Sequence, residues 1–168
     1  DFDTAYTYNL GGALIEETYP SGRVVKNTLD ENGDLQQVQS RRDSNYGYWQ
    51  YAGSFSRDSS GSVTKMQLGN GHWETASYNI RGQVKHIGLG LTDSTTDLLK
   101  LEYQYETSTT SYDNNGSMLE QKIYVPQVGS NAAFTATQTY TYDALNRIQT
   151  ATETISSTQT WKQEFSYD

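Results

Sequence analysis

Between positions 99 and 106 the chain alternates without a break. Leu99, Leu101, Tyr103 and Tyr105 are apolar, and Lys100, Glu102, Gln104 and Glu106 are polar. A period of two puts these sets on opposite faces of an extended strand. The pattern recurs. Phe134, Ala136, Tyr140 and Tyr142 share a face opposite Thr135, Thr137, Thr139 and Thr141, and Trp161, Phe165 and Tyr167 oppose Lys162, Glu164 and Ser166. Leu119, Gln121, Ile123 and Val125 form a weaker copy. No window of helical length carries an apolar stripe at helical spacing. The pattern predicts strands and almost no α-helix.

Turn residues punctuate these strands at regular intervals. An aromatic or apolar residue is followed by Asp or Asn and, three positions on, by Gly or Asn. The copies run Tyr8-Asn9 to Gly12, Leu29-Asp30 to Gly33, Arg57-Asp58 to Gly61, Tyr78-Asn79 to Gly82, Tyr112-Asp113 to Gly116, and Tyr142-Asp143 to Asn146, with Leu29 and Arg57 degenerate at the aromatic position. Tyr167-Asp168 opens a further copy. Secondary turns at Pro20-Ser21-Gly22 and Asn70-Gly71 lie between them. Gly and Asn accept the positive φ of tight turns, and Asp or Asn caps the turn amides. A turn about every ten residues leaves about seven for a strand, a normal length. Each pair of strands reads as one β-hairpin.

Longer segments interrupt the rhythm. Residues 39–53 read as a long loop holding Asn45-Tyr46-Gly47-Tyr48-Trp49. Residues 106–111 and 126–133, and the Ser/Thr-rich 154–160, read as lengthened hairpin tips or solvated polar strands. None is long enough to be a domain linker, so 1–168 is expected to be one β-repeat domain.

Composition narrows the function. The hydrophobic fraction of 34% is low, against roughly 45–50% for ordinary soluble proteins. Yet 14 tyrosines raise the aromatic share to 12%, which argues against disorder. Cysteine is absent, so thiolate metal sites and disulfides are excluded. The net charge of −8 opposes binding to phosphate backbones, and nucleic acid is not an expected partner. No apolar run approaches the roughly 20 residues of a helical membrane span. No signal peptide stands at Asp1.

The repeat motifs resemble the YD repeats of the RHS-repeat family, which includes bacterial RHS polymorphic toxins, shell-forming subunits of Tc toxins, and teneurins. The matching stretches are Tyr6-Thr7-Tyr8-Asn9, Pro20-Ser21-Gly22, Leu68-Gly69-Asn70-Gly71, Tyr78 to Val84, and Tyr140 to Ile148. The resemblance implies an all-β fold of consecutive antiparallel hairpins, joined edge to edge into a curved or spiralling sheet that is a segment of a hollow shell. It implies an encapsulating scaffold in a secreted or cell-surface bacterial protein. Its partners would be the rest of the repeat shell, an enclosed toxin domain or a surface glycan. The chain is expected to be a piece of a longer array. Open sheet edges would favour self-association. Some family members end the shell with an autoproteolytic segment built on an aspartate pair; none is visible here, and no catalytic residue is carried over.

The repeat anchors are Tyr8, Gly12, Gly33, Gly61, Tyr78, Gly82, Tyr112, Gly116, Tyr142, Asp143 and Asn146. Inward tyrosines would stack into an aromatic ladder, with their hydroxyls bonding neighbouring strands. No enzyme signature is present, and no cofactor is expected. Glu16-Glu17 are adjacent on a strand and would point to opposite faces. Asp30 to Asp34 and Asp113 to Gly116 could offer calcium oxygen ligands, but turn chemistry accounts for them. His72 and His86 are each placed in a strand. Tyr46, Tyr48, Trp49 and Tyr51 stand where the repeat does not call for aromatics. They could stack on sugars or anchor a protein partner, giving a carbohydrate- or cell-surface-binding module as the alternative function. Covering the core is the competing use.

Overall fold

A computed structural model describes residues 2–108 and 110–168. The chain is all-β and divides into two compact units, 1–74 and 75–168. In the first unit β1 (Ala5–Tyr8), β2 (Leu14–Thr18), β3 (Val24–Leu29), β4 (Leu35–Arg41), β5 (Trp49–Arg57) and β6 (Val63–Leu68) pair antiparallel in chain order. The strand β7 (Trp73–Tyr78) begins in this unit and runs into the next. In the second unit β8 (Val84–Gly90), β9 (Leu99–Gln104), β10 (Glu120–Val125), β11 (Phe134–Tyr142), β12 (Ile148–Ile155) and β13 (Thr158–Glu164) follow the same rule. Consecutive antiparallel hairpins are what the turn spacing predicts.

One five-residue turn is built again and again. Its first N–H bonds the fifth carbonyl, and its fourth N–H returns to the first carbonyl. Asp30, for instance, receives Gly33 N at 3.1 Å and donates to Asp34 O at 2.9 Å. The side-chain Oδ1 of Asp30, Asp58, Asn79 and Asp143 accepts from the third and fifth amides of its own turn. Where the first residue cannot accept, the third does: Ser21 caps Arg23 N, and Asn70 caps His72 N. The fourth residue is left-handed, as at Gly82 (φ 74°) and Asn146 (φ 58°). The strand register slips by one residue beside four of these turns, which marks the turn-plus-bulge hairpin.

Burial is thin. The buried apolar side chains among the described residues are Val24, Ala136 and Ala151, and none that is large is fully buried. In the second unit the register aligns Ile87, Leu101, Ile123, Ala136 and Ile155 in one cross-strand row. Period-two alternation makes that row, since each of these side chains lies on the same face of its strand.

Several expectations are corrected. The tyrosines do not form a directly opposed ladder: Tyr103 faces Gln121, and Tyr140 faces Ala151. Tyr8 is mostly exposed, and Tyr112 is wholly exposed, outside any strand. The Tyr112–Gly116 copy is not a hairpin turn. Asp113 turns instead to Ser111 Oγ first, then Thr107 Oγ1 and Thr107 N, whose donated hydrogens hold its carboxyl down at about 2. Residues 39–53 are not a long loop, because β4 runs to Arg41 and β5 starts at Trp49. Segment 154–160 follows the polar-strand alternative, not the lengthened tip: β12 runs to Ile155, β13 starts at Thr158, and Ser156 and Ser157 between them are both left-handed. His72 lies in the turn before β7, while His86 is in β8. Part of the expected loop 106–111, Thr109, lies outside the described residues.

Candidate functional site

The aromatic cluster sits at the β4–β5 hairpin of the first unit. Trp49 and Tyr51 both lie on β5, either side of a bulge in its pairing with β4, and line one groove. Tyr46 joins them from the connecting loop, held by a turn in which Asp43 Oδ1 accepts from Asn45 N at 2.8 Å and Asp43 O from Tyr46 N at 3.2 Å. All three rings stand in solvent: Trp49 is 75% exposed, Tyr51 52% and Tyr46 50%. With Ser21, Arg23, Ser40 and Arg42 they line an open groove of about 440 Å³. That is the size of an ordinary small-ligand site, roughly 300–1,000 Å³.

The cations of the groove are positioned by the rings. The Arg42 guanidinium lies over Tyr46 at 5.4 Å, and that of Arg23 over Tyr51 at 5.5 Å, both within cation–π range. Arg23 also donates its Nε–H to Ser40 Oγ at 3.0 Å, and Ser40 is buried beneath it. Among the described residues no carboxylate forms an ion pair with Arg23 or Arg42.

Strand β5 is fixed from its other side by Gly69. The Gly69 N–H bonds Tyr51 O at 2.9 Å, and a Cβ on Gly69 would land on the carbonyl oxygen of Gln50. Only glycine allows that approach.

Tyr48 does not join the groove. It is half-buried, donates its hydroxyl to Glu16 Oε2 at 3.3 Å, and lies under Arg41 and Lys26. Burial first, then the Glu16 charge, raises its phenol above the ordinary value. Of the four expected aromatics, the structure therefore brings three together. The arginines were missed, although Arg41-Arg42 beside the aromatic run was the available signal.

In the second unit a charged cluster forms on one face. Glu102 accepts from Lys100 Nζ at 2.7 Å and from the Tyr124 hydroxyl at 2.7 Å, and it pairs across the ladder with His86. The Lys100 hydrogen bond is the main cause of its lowered carboxyl, with Tyr124 adding to it. His86 is pulled below its ordinary value, chiefly by burial, and its Nε2 has no hydrogen-bond partner. Of the acidic stretches that could offer calcium ligands, Asp30 spends its Oδ1 on the amides of Asn32 and Asp34, and Asp113 its Oδ1 on Thr107 N and Ser111 Oγ.

The class the fold defines is a β-hairpin-repeat protein. Among the solved structures it resembles are chains of Tc toxin assemblies. It matches a chain of TcdB2-TccC3-TEV over 96% of its own length at 17% identity (TM-score 0.64). It matches one of the Photorhabdus luminescens Tc holotoxin pore over 97% at 17% identity (TM-score 0.66). A chain of TcdB2-TccC3-Cdc42 matches over 96% at 18% identity (TM-score 0.62). This chain spans 9–10% of the length of those chains. Over nearly its whole length it has the fold of a segment of them. No protein-family model matches the sequence, and no curated protein matches it.

Proposed function

We propose that the chain is a structural module: YD-repeat hairpins forming part of the β-sheet shell of a toxin-like secreted or cell-surface protein. Its work is enclosure and spacing. The observation that carries this is the repeated, side-chain-capped five-residue turn, which builds hairpins and leaves its own acceptors no chemistry to do. The fold likeness to Tc toxin chains supports it. We also infer that the chain is not an enzyme. The convergent group at Glu102 is a carboxylate held ionised by Lys100 and Tyr124, which suits a structural network better than proton transfer.

A shell wall is continued at its edge strands. Here β1 and β13 are each paired on one side, so their outer backbone groups would serve as joints. Light scattering on the purified chain is the test. Association that rises with concentration, and is lost when Tyr6→Pro removes an outward-facing N–H of β1, supports edge joining; a monomer at millimolar concentration refutes it.

A further inference from the structure

We propose that the β4–β5 groove binds an acidic saccharide, a sugar bearing a carboxylate, with Trp49 as the stacking platform and Arg23 and Arg42 as the carboxylate grip. This stands independently of the scaffold reading, since a shell wall can carry a binding groove on its surface.

Four observations lead there. First, Trp49 is a large flat ring left 75% exposed, although burial is the commoner use of such rings. Tyr46 and Tyr51 flank it, so the groove offers ring faces on which the C–H face of a pyranose can pack and lose water. Secondly, the charge is local and inverted. The chain carries 20 acidic residues against 12 basic ones, yet the groove is lined by two arginines and no carboxylate. Thirdly, these guanidiniums lie over Tyr46 and Tyr51 and form no ion pair among the described residues. A guanidinium with no carboxylate partner keeps N–H donors that a ligand carboxylate can take, in the best case as two parallel hydrogen bonds. Fourthly, exposed Ser21 supplies a hydroxyl at the same groove that can donate to a sugar, while buried Ser40 holds Arg23 from beneath. Asp43, next to Arg42 in the chain, is turned into its own loop, where its Oδ1 accepts from Asn45 N.

Charge selects among the ligands that aromatic grooves can take. A neutral sugar would leave both arginines unused. A nucleic acid would meet only two cations here and a field of −8 elsewhere. A single carboxylated sugar uses the rings and the arginines together.

Calorimetry on the full 168-residue chain tests this, with 3′-sialyllactose and a hyaluronan tetrasaccharide as acidic probes and lactose as the neutral control. The expected result is that at least one acidic probe binds with a Kd below about 1 mM and at least roughly tenfold more tightly than lactose. Trp49→Ala and Arg42→Gln should each weaken it by about tenfold or more, with the circular dichroism spectrum and Tm unchanged because both side chains are exposed. If Trp49→Ala is misfolded, Arg42→Gln and Trp49→Phe carry the test, the latter keeping a flat ring and most of the affinity. Raising the salt should weaken binding. No binding by either acid at about 10 mM overturns the proposal. So does lactose binding equally well, affinity indifferent to Trp49 and Arg42, or preferential binding of single-stranded DNA or polyglutamate.

Discussion

The Tyr142 hydroxyl donates to the carbonyl oxygen of Met118, 2.7 Å away. Tyr167 makes the same bond to Ile148 O, also at 2.7 Å. Met118 and Ile148 hold matching positions, two residues after Gly116 and Asn146, the residues that close their repeats. These two repeat tyrosines are therefore stitches: each reaches back to the residue two past the Gly or Asn that ends the preceding repeat motif. Tyr142→Phe should cost about 1 kcal/mol, the net worth of such a bond plus the carbonyl left unpaired. That is a Tm lower by roughly 3 °C for a chain of this size. Tyr112→Phe, at a fully exposed ring, should leave Tm unchanged. Thermal melts of the two variants, if indistinguishable, would remove the stitch.

At Gly82 a side chain has room, since nothing lies within 4 Å of an ideal Cβ, but the backbone has φ 74°. Strain alone decides the outcome. Gly82→Val should destabilise by roughly 1–3 kcal/mol, and Gly82→Asn by much less, because Asn tolerates the left-handed region and stands there at Asn146. Urea unfolding ranks them; equal midpoints would contradict the turn geometry.

Gly69 presents the opposite case, with an ordinary φ and no room. Gly69→Ala should push Gln50 and Tyr51 off β6 and break the Gly69 N–H to Tyr51 O bond. The loss should be about 1–3 kcal/mol, typical of forcing an atom into a packed contact. Slow exchange of the Gly69 amide in the native chain, lost in the variant, is the readout.

His86 gives the fold a pH dependence of defined sign. Burial lowers its folded value below the ordinary 6.5, against the pull of Glu102 and with help from Lys100. A lowered value favours the neutral ring in the folded state. The stabilisation is complete above 6.5 and is lost as pH falls through the folded value. Tm should drop on acidification below 6.5, and His86→Gln should flatten that slope. Parallel curves for the two proteins would place the titration elsewhere.

Much of this was legible beforehand, because strand alternation and turn chemistry are local. Leu99 to Gln104 could be read as a strand because its period of two is unbroken. The turns at Asp30, Asp58, Asn79 and Asp143 could be read because the capping oxygen, the amides it serves and the left-handed residue lie within five positions. The candidate groove was half legible. Tyr46, Trp49 and Tyr51 stood out as aromatics that no repeat required, while Arg23 lies 26 residues before Trp49 and arrives only by strand pairing.

Sequence by itself determined the all-β class, the hairpin spacing and the turn positions, since each depends on contacts a few residues apart. Tertiary structure decided the rest. It extended β4 and β5 into both ends of the supposed loop, sent Tyr48 to Glu16 while leaving Trp49 in solvent, and diverted Asp113 from its turn to Thr107 and Ser111. The physical reason is common to all three. Which face of a strand meets a neighbour, and which polar atom finds a better partner, depends on cross-strand register, and register is a relation between segments that no single stretch of sequence contains.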